Sequence, residues 1–159
     1  MKKYLLFFIL IVAGLVACSQ QIKKMNADEL TAYIAKTDKP MVISFWATWC
    51  GSCVEEIPYF ISTIKEKYNT EIDLLLVSLD VKTYYPQKIT AFVARKSFNC
   101  PVVWLNESNA DVFCPKIDNQ WSGAIPSTLM VNNKKGYRKF YEQGLTPFQF
   151  EKGLKALLE

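Results

Sequence analysis

The run Met41-Val42-Ile43-Ser44-Phe45-Trp46 leads within a few residues into Cys50-Gly51-Ser52-Cys53, and an apolar-periodic segment opens at the second cysteine. A nearly continuous apolar run of this length has the composition of a strand covered on both faces. From Cys53 to Tyr68 the pattern is helical, with Ile57, Phe60, Ile61 and Ile64 on one side and Pro58 predicting a kink. The cysteines thus stand where a buried strand ends and a helix begins. Cysteines at i and i+3 of a helix start share one face, so they can close a small disulfide or attack in turn. The unpaired amides and positive dipole end of the helix favour a thiolate at Cys50, drawing its pKa below the ordinary value of about 8.5. Cys50 reads as the nucleophile. Cys53, one turn deeper, reads as the resolving thiol.

The rest of the chain alternates strands with helices, which indicates an α/β domain whose sheet has parallel members. Asn26 or Asp28 caps a helix running through Ala35, and Lys39-Pro40 stops it. After the Cys53 helix come a buried strand at Ile72 to Leu79, a helix from about Pro86 to Ser97, and a strand at Val102 to Leu105. Ser127 to Asn132 and Tyr137 to Glu142 flank Asn133-Lys134-Lys135-Gly136, which reads as a hairpin turn, and Thr146 to Leu158 is a final helix.

Composition removes several classes of function. With 159 residues the chain is long enough for one domain with a real core. Lys and Arg exceed Asp and Glu by only 19 to 15, with no basic stripe interleaved with aromatics, so nucleic acid is not an expected partner. The absence of histidine excludes His-based general base catalysis and zinc sites built on imidazole. No cofactor is implied.

Lys2-Lys3 followed by the apolar run from Leu5 to Ala17 has the form of a signal peptide, too short for a spanning helix of about 20 apolar residues. Leu15-Val16-Ala17-Cys18 resembles the lipobox of bacterial lipoproteins, in which lipid is attached to the cysteine. Five cysteines is an odd count, and lipidating Cys18 leaves four. The expected organisation is a lipoprotein signal peptide over 1–17, a lipidated polar tether over 18–25, and one domain over 26–159. Such a domain sits on a membrane and faces an oxidising compartment.

The segment Ser44-Phe45-Trp46-Ala47-Thr48-Trp49-Cys50-Gly51-Ser52-Cys53 resembles the active-site segment of thioredoxins. Val54-Glu55-Glu56-Ile57-Pro58 narrows the likeness to the membrane-tethered TlpA/ResA-type branch, as do the additional helix and strand at about 86–105 and the stretch Gly123-Ala124-Ile125-Pro126-Ser127-Thr128. The resemblance implies a thioredoxin-like fold, a central mixed β-sheet flanked by helices. It implies a cis peptide before Pro126, with Pro126 facing the dithiol and Ile125 pairing its backbone with a bound peptide. Two features depart from the pattern: the intervening pair is Gly51-Ser52 where Gly-Pro is commoner, and the N-terminal approach resembles a thioredoxin helix where the branch usually has a hairpin.

Glu56 stands at i+3 from Cys53. Either the helix N-terminus simply favours an acid there, or the carboxyl is desolvated and exchanges a proton with Cys53. Trp49, beside the nucleophile, is expected on the partner surface together with Gly51 and Ser52. Cys100 and Cys114 are candidates for a structural disulfide, with buried free thiols, a second redox pair, or a metal site shared with Cys50 and Cys53 as alternatives. The leading functional expectation is a thiol–disulfide oxidoreductase that reduces disulfide-containing envelope proteins and is recharged by a thiol–disulfide electron donor in the membrane. An oxidase or isomerase, or a non-catalytic binding or chaperone lipoprotein, are the competing readings.

Overall fold

A computed structural model describes residues 21–159. The signal-like segment and the candidate lipidation site Cys18 lie outside the described residues. No helix among the described residues is long and apolar enough to cross a membrane.

The strands are β1 (Lys23–Met25), β2 (Met41–Trp46), β3 (Asp73–Ser78), β4 (Val102–Leu105), β5 (Ser127–Asn132) and β6 (Tyr137–Tyr141). The helices are α1 (Ala27–Ala35), α2 (Gly51–Thr63, continued by a π turn over Ile64–Tyr68), α3 (Gln87–Lys96), α4 (Ala110–Ile117) and α5 (Pro147–Leu158). One sheet runs in the order β1-β4-β3-β2-β5-β6, parallel from β1 to β2 and antiparallel across β5 and β6. This is the thioredoxin-like mixed sheet, widened by β4, which lies between β1 and β3.

The pleat sorts the apolar runs onto two faces. Val42, Trp46, Leu76, Trp104 and Met130 pack with Ile57 and Phe60 of α2, Ile89 of α3, and Phe150 and Leu154 of α5. Ile43, Phe45, Leu75, Val77 and Leu129 pack with Leu30 and Ile34 of α1 and with Phe113 and Ile117 of α4. Both faces are covered, which is why β2 and the centre of β3 are nearly continuous apolar runs. Phe60 and Phe150 stack at 3.9 Å between ring centroids, joining α2 to α5.

Local signals explain most boundaries. The Asn26 side chain accepts from the Glu29 amide and the Glu29 carboxylate accepts from the Asn26 amide, a capping box that fixes the start of α1. Gly136, at φ +64°, closes the turn between β5 and β6 in the left-handed region. Three features differ from the sequence expectation. Lys23–Met25, expected within the polar tether, is an edge strand paired with Val103–Leu105, its register fixed by the buried Met25 and by the Asn106 amide donating to the Met25 carbonyl. Helix α2 begins at Gly51, with Cys50 as its N-cap, because the cysteine sulfur itself caps the first turn. Helix α4, which carries Pro115, fills the connection from β4 to β5, where the sequence pattern predicts no element.

Candidate active site

β2 is central in the sheet, and its carboxyl end delivers Ala47-Thr48-Trp49 into a tight turn in which the Cys50 amide donates to the Ala47 carbonyl at 3.0 Å. Cys50 adopts extended backbone geometry at the N-cap of α2, and the Cys53 amide donates to its sulfur at 3.3 Å. The two cysteines form a disulfide with an S–S distance of 2.02 Å. Cys53 is wholly buried while Cys50 retains 7% of its surface, the asymmetry expected of a nucleophile at the rim and a resolving thiol beneath it. Ser52 brings its hydroxyl to 3.7 Å from the Cys50 sulfur. Trp49, Gly51 and Ser52 are exposed, Trp49 at 66%. A Cβ placed on Gly51 would meet nothing within 4 Å, so the rim beside Cys50 is open.

Glu56 is half-buried and its two oxygens differ. Oε2 accepts the Leu145 amide at 2.9 Å, whereas Oε1 is buried without a hydrogen-bond partner. Burial pushes its pKa up from 4.5 to about 7, against the opposing pull of the Leu145 hydrogen bond. A carboxyl that is half-ionised near neutrality is suited to taking and giving a proton.

The Ile125–Pro126 peptide is cis, as the resemblance implies. Gly144 connects this loop to Glu56: a Cβ there would lie 3.5 Å from Glu56 Oε2 and 3.6 Å from Pro126 Cγ. Pro126 and Glu56 therefore both approach the same side of Gly144. Beside them a groove of about 370 Å³ is lined by Ser52, Glu55, Glu56, Tyr59 and Gly144 to Pro147.

Two further carboxylates shape the site and were missed in the sequence. Asp80, buried just past β3, accepts the Thr48 amide at 3.1 Å and hydroxyl at 2.6 Å, together with the Ser78 hydroxyl at 2.8 Å. It thus holds the turn that presents Cys50. Its signal was an acid within two residues of the end of a buried apolar strand, where an unpaired charge is costly. Glu142, just past β6, accepts from the amides of Ser122 and Ala124 in the loop before Pro126. Nothing in its own sequence neighbourhood marked it, because its partners are distant in the chain.

The candidate disulfide between Cys100 and Cys114 is not formed. Cys100 packs against the cluster that contains Cys53, while Cys114 belongs to the cluster on the opposite face of the sheet. Cys114 is a free buried thiol. Burial raises Cys100 to about 12, and burial with the charges of Glu142 and Asp111 raises Cys114 to about 11, so neither is a thiolate at neutral pH. The same separation excludes a metal site formed by all four thiolates, and no cluster of three or more metal-ligating side chains exists among the described residues.

The thioredoxin family profile matches residues 21–92. A chloroplastic thioredoxin Y of Oryza sativa subsp. japonica is 31% identical over 111 residues, covering 70% of this chain and 58% of that protein. The thiol-disulfide oxidoreductase ResA of Oceanobacillus iheyensis is 32% identical over 63 residues, 38% of this chain and 33% of its own length. The chain thus spans less than two thirds of the length of these curated relatives. Among solved structures, a thioredoxin-related protein from Neisseria meningitidis serogroup B superposes with a TM-score of 0.64 at 22% identity, covering 77% of this chain and 87% of that one. StoA from Bacillus subtilis superposes at 0.57 with 22% identity, over 76% and 86% of the two chains. At these identities the structural likeness establishes the fold.

Proposed function

We propose that the Cys50–Cys53 pair of this thioredoxin-like fold works as a protein thiol–disulfide oxidoreductase, running as a reductase of disulfides in extracytoplasmic proteins. The observation that carries this reading is Cys50 at the N-cap of α2, with the Cys53 amide donating to its sulfur. That amide and the helix dipole favour negative charge on the Cys50 sulfur once the disulfide is opened. In the reduced protein the Cys50 thiolate attacks one sulfur of the client disulfide. A mixed disulfide forms and one client thiolate leaves. Cys53 then loses its proton to the Glu56 carboxylate and attacks the Cys50 sulfur, closing Cys50–Cys53 and releasing the second client thiolate. The client gains two electrons and the protein loses two.

Ile125 and Pro126 form the wall against which an extended client segment lies, with Trp49, Gly51 and Ser52 as the opposing rim. The reductase direction follows the branch that the sequence resembles, and a thiol–disulfide donor in the membrane would restore the dithiol. The signal-like segment and Cys18 support an anchored, outward-facing location.

The test is reduction of insulin by the dithiol form, with Cys50→Ser as control and Cys53→Ser as a trap. Wild type should cleave insulin, Cys50→Ser should not, and Cys53→Ser should accumulate client as a mixed disulfide. A wild type that cleaves no disulfide, indistinguishable from Cys50→Ser, sinks the reading. A redox titration fixes direction: a potential near or below the thioredoxin value of about −270 mV supports the reductase, and one far above it supports an oxidase.

A further inference from the structure

We propose that Glu142 is a positioning residue for client binding, the latch that holds the loop Ser122–Pro126 in the shape required to receive an extended polypeptide. This deepens the functional reading above and rests on its assignment of Ile125 and Pro126 to the client wall.

A single carboxylate oxygen of Glu142 gathers the loop. It accepts the Ser122 amide at 2.8 Å, the Ala124 amide at 3.2 Å and the Ser122 hydroxyl. Two amides two residues apart converge on one atom because Gly123 lies between them at φ +97°, in the left-handed region that glycine enters at little cost. Backbone amides arranged in this way form a concavity that favours an anion, and here the chain supplies its own. The hydrogen bonds in turn hold the Glu142 carboxyl below the usual carboxylate range.

The other side of the loop is held differently. The Trp121 indole N–H donates to the Ala124 carbonyl at 2.9 Å. A Cβ on Gly123 would stand 3.2 Å from the Ala110 Cβ and 3.6 Å from the Cys114 sulfur, so α4 backs the loop closely. The loop is therefore pressed between α4 and Glu142, with Ile125 and Pro126 immediately downstream.

The pairing of β5 with β6 places the latch. Thr128 lies opposite Tyr141, so the residue after β6 falls beside the entry to β5. Two residues beyond Glu142, Gly144 abuts both Pro126 and Glu56, and the Leu145 amide donates to Glu56. The connection Glu142–Leu145 thus touches the client wall at one end and the proton-carrying carboxyl at the other.

The experiment compares Glu142→Ala and Glu142→Gln with wild type in three readouts: amide hydrogen exchange at Ser122 and Ala124, KM and kcat for insulin, and the rate with a small aromatic disulfide that needs no extended wall. In Glu142→Ala, exchange at both amides should rise at least about tenfold, and KM for insulin should rise about tenfold with kcat and the small-disulfide rate near wild type. Glu142→Gln keeps an acceptor oxygen and should recover most of both effects. Unchanged exchange in Glu142→Ala overturns the latch. Raised exchange with an unchanged KM for insulin overturns its role in client binding, as does an equal loss with both disulfides. A wild type that cleaves neither disulfide overturns the functional reading and with it the client-binding role, while the exchange data still decide the latch itself.

Discussion

Glu56 is the residue whose surroundings most alter its chemistry. Its folded-state pKa of about 7 lies above the ordinary 4.5, so between these two values the folded protein binds more protons than the unfolded chain. Stability must then fall as pH rises through that window, and the cost is complete above the folded value. A shift of this size corresponds to about 3 kcal/mol, reduced to about 1–2 kcal/mol because the side chain is only partly buried. Glu56→Gln keeps an oxygen for the Leu145 amide and removes the charge. It should be more stable than wild type by about 1–2 kcal/mol at pH 8 and indistinguishable at pH 4, measured by chemical denaturation. The same variant should lose the inflection near pH 7 in the rate of mixed-disulfide resolution. Equal stability at both pH values would remove the basis for a proton role. The place of Glu56 was legible because i+3 spacing on a helix is a local property. The unpartnered Oε1 and the bond from Leu145 were not, since they depend on a segment that the fold brings back from near the end of the chain.

At the scale of elements, the presentation of Cys50 depends on β3 as much as on β2. Asp80 receives the Thr48 amide, the Thr48 hydroxyl and the Ser78 hydroxyl from its buried position, so the turn before Cys50 is tied to the neighbouring strand. Asp80→Ala leaves those donors without their acceptor and should destabilise the domain by about 2–4 kcal/mol, read from the denaturation midpoint. Insulin reduction should fall by more than the unfolded fraction explains, because the surviving folded molecules present Cys50 on a looser turn. A variant as stable and active as wild type would show that the turn holds its shape unaided. The strands β2 to β6 and the helices α1, α2, α3 and α5 were readable because apolar runs, turns and caps are written locally. β1 was not: Lys23-Lys24-Met25 is polar in sequence and becomes a strand only because β4 offers it an edge. Helix α4 escaped for a different reason, since Pro115 argues against a helix and only packing of Phe113, Cys114 and Ile117 on the sheet overrides it.

At the scale of the whole molecule, the sheet divides the cysteines. Cys50, Cys53 and Cys100 are associated with one apolar layer and Cys114 with the other. An oxidising compartment favours pairing of Cys100 with Cys114, yet a residue before β4 and one in α4 after it can emerge on opposite faces. Sequence separation carries no information about that choice. The consequence is that Cys114 is packed in the layer that does not contain the Cys50–Cys53 disulfide. If the oxidised protein is unfolded without reductant, alkylated and digested, Cys114 should be recovered as an alkylated monothiol while Cys50 and Cys53 remain joined in one peptide. In the native state Cys114 should react far more slowly, since it is buried and its thiol is raised to about 11. Recovery of a peptide pair joined through Cys100 and Cys114 would contradict the two-layer arrangement, because forming that bond requires one of the two segments to leave its layer.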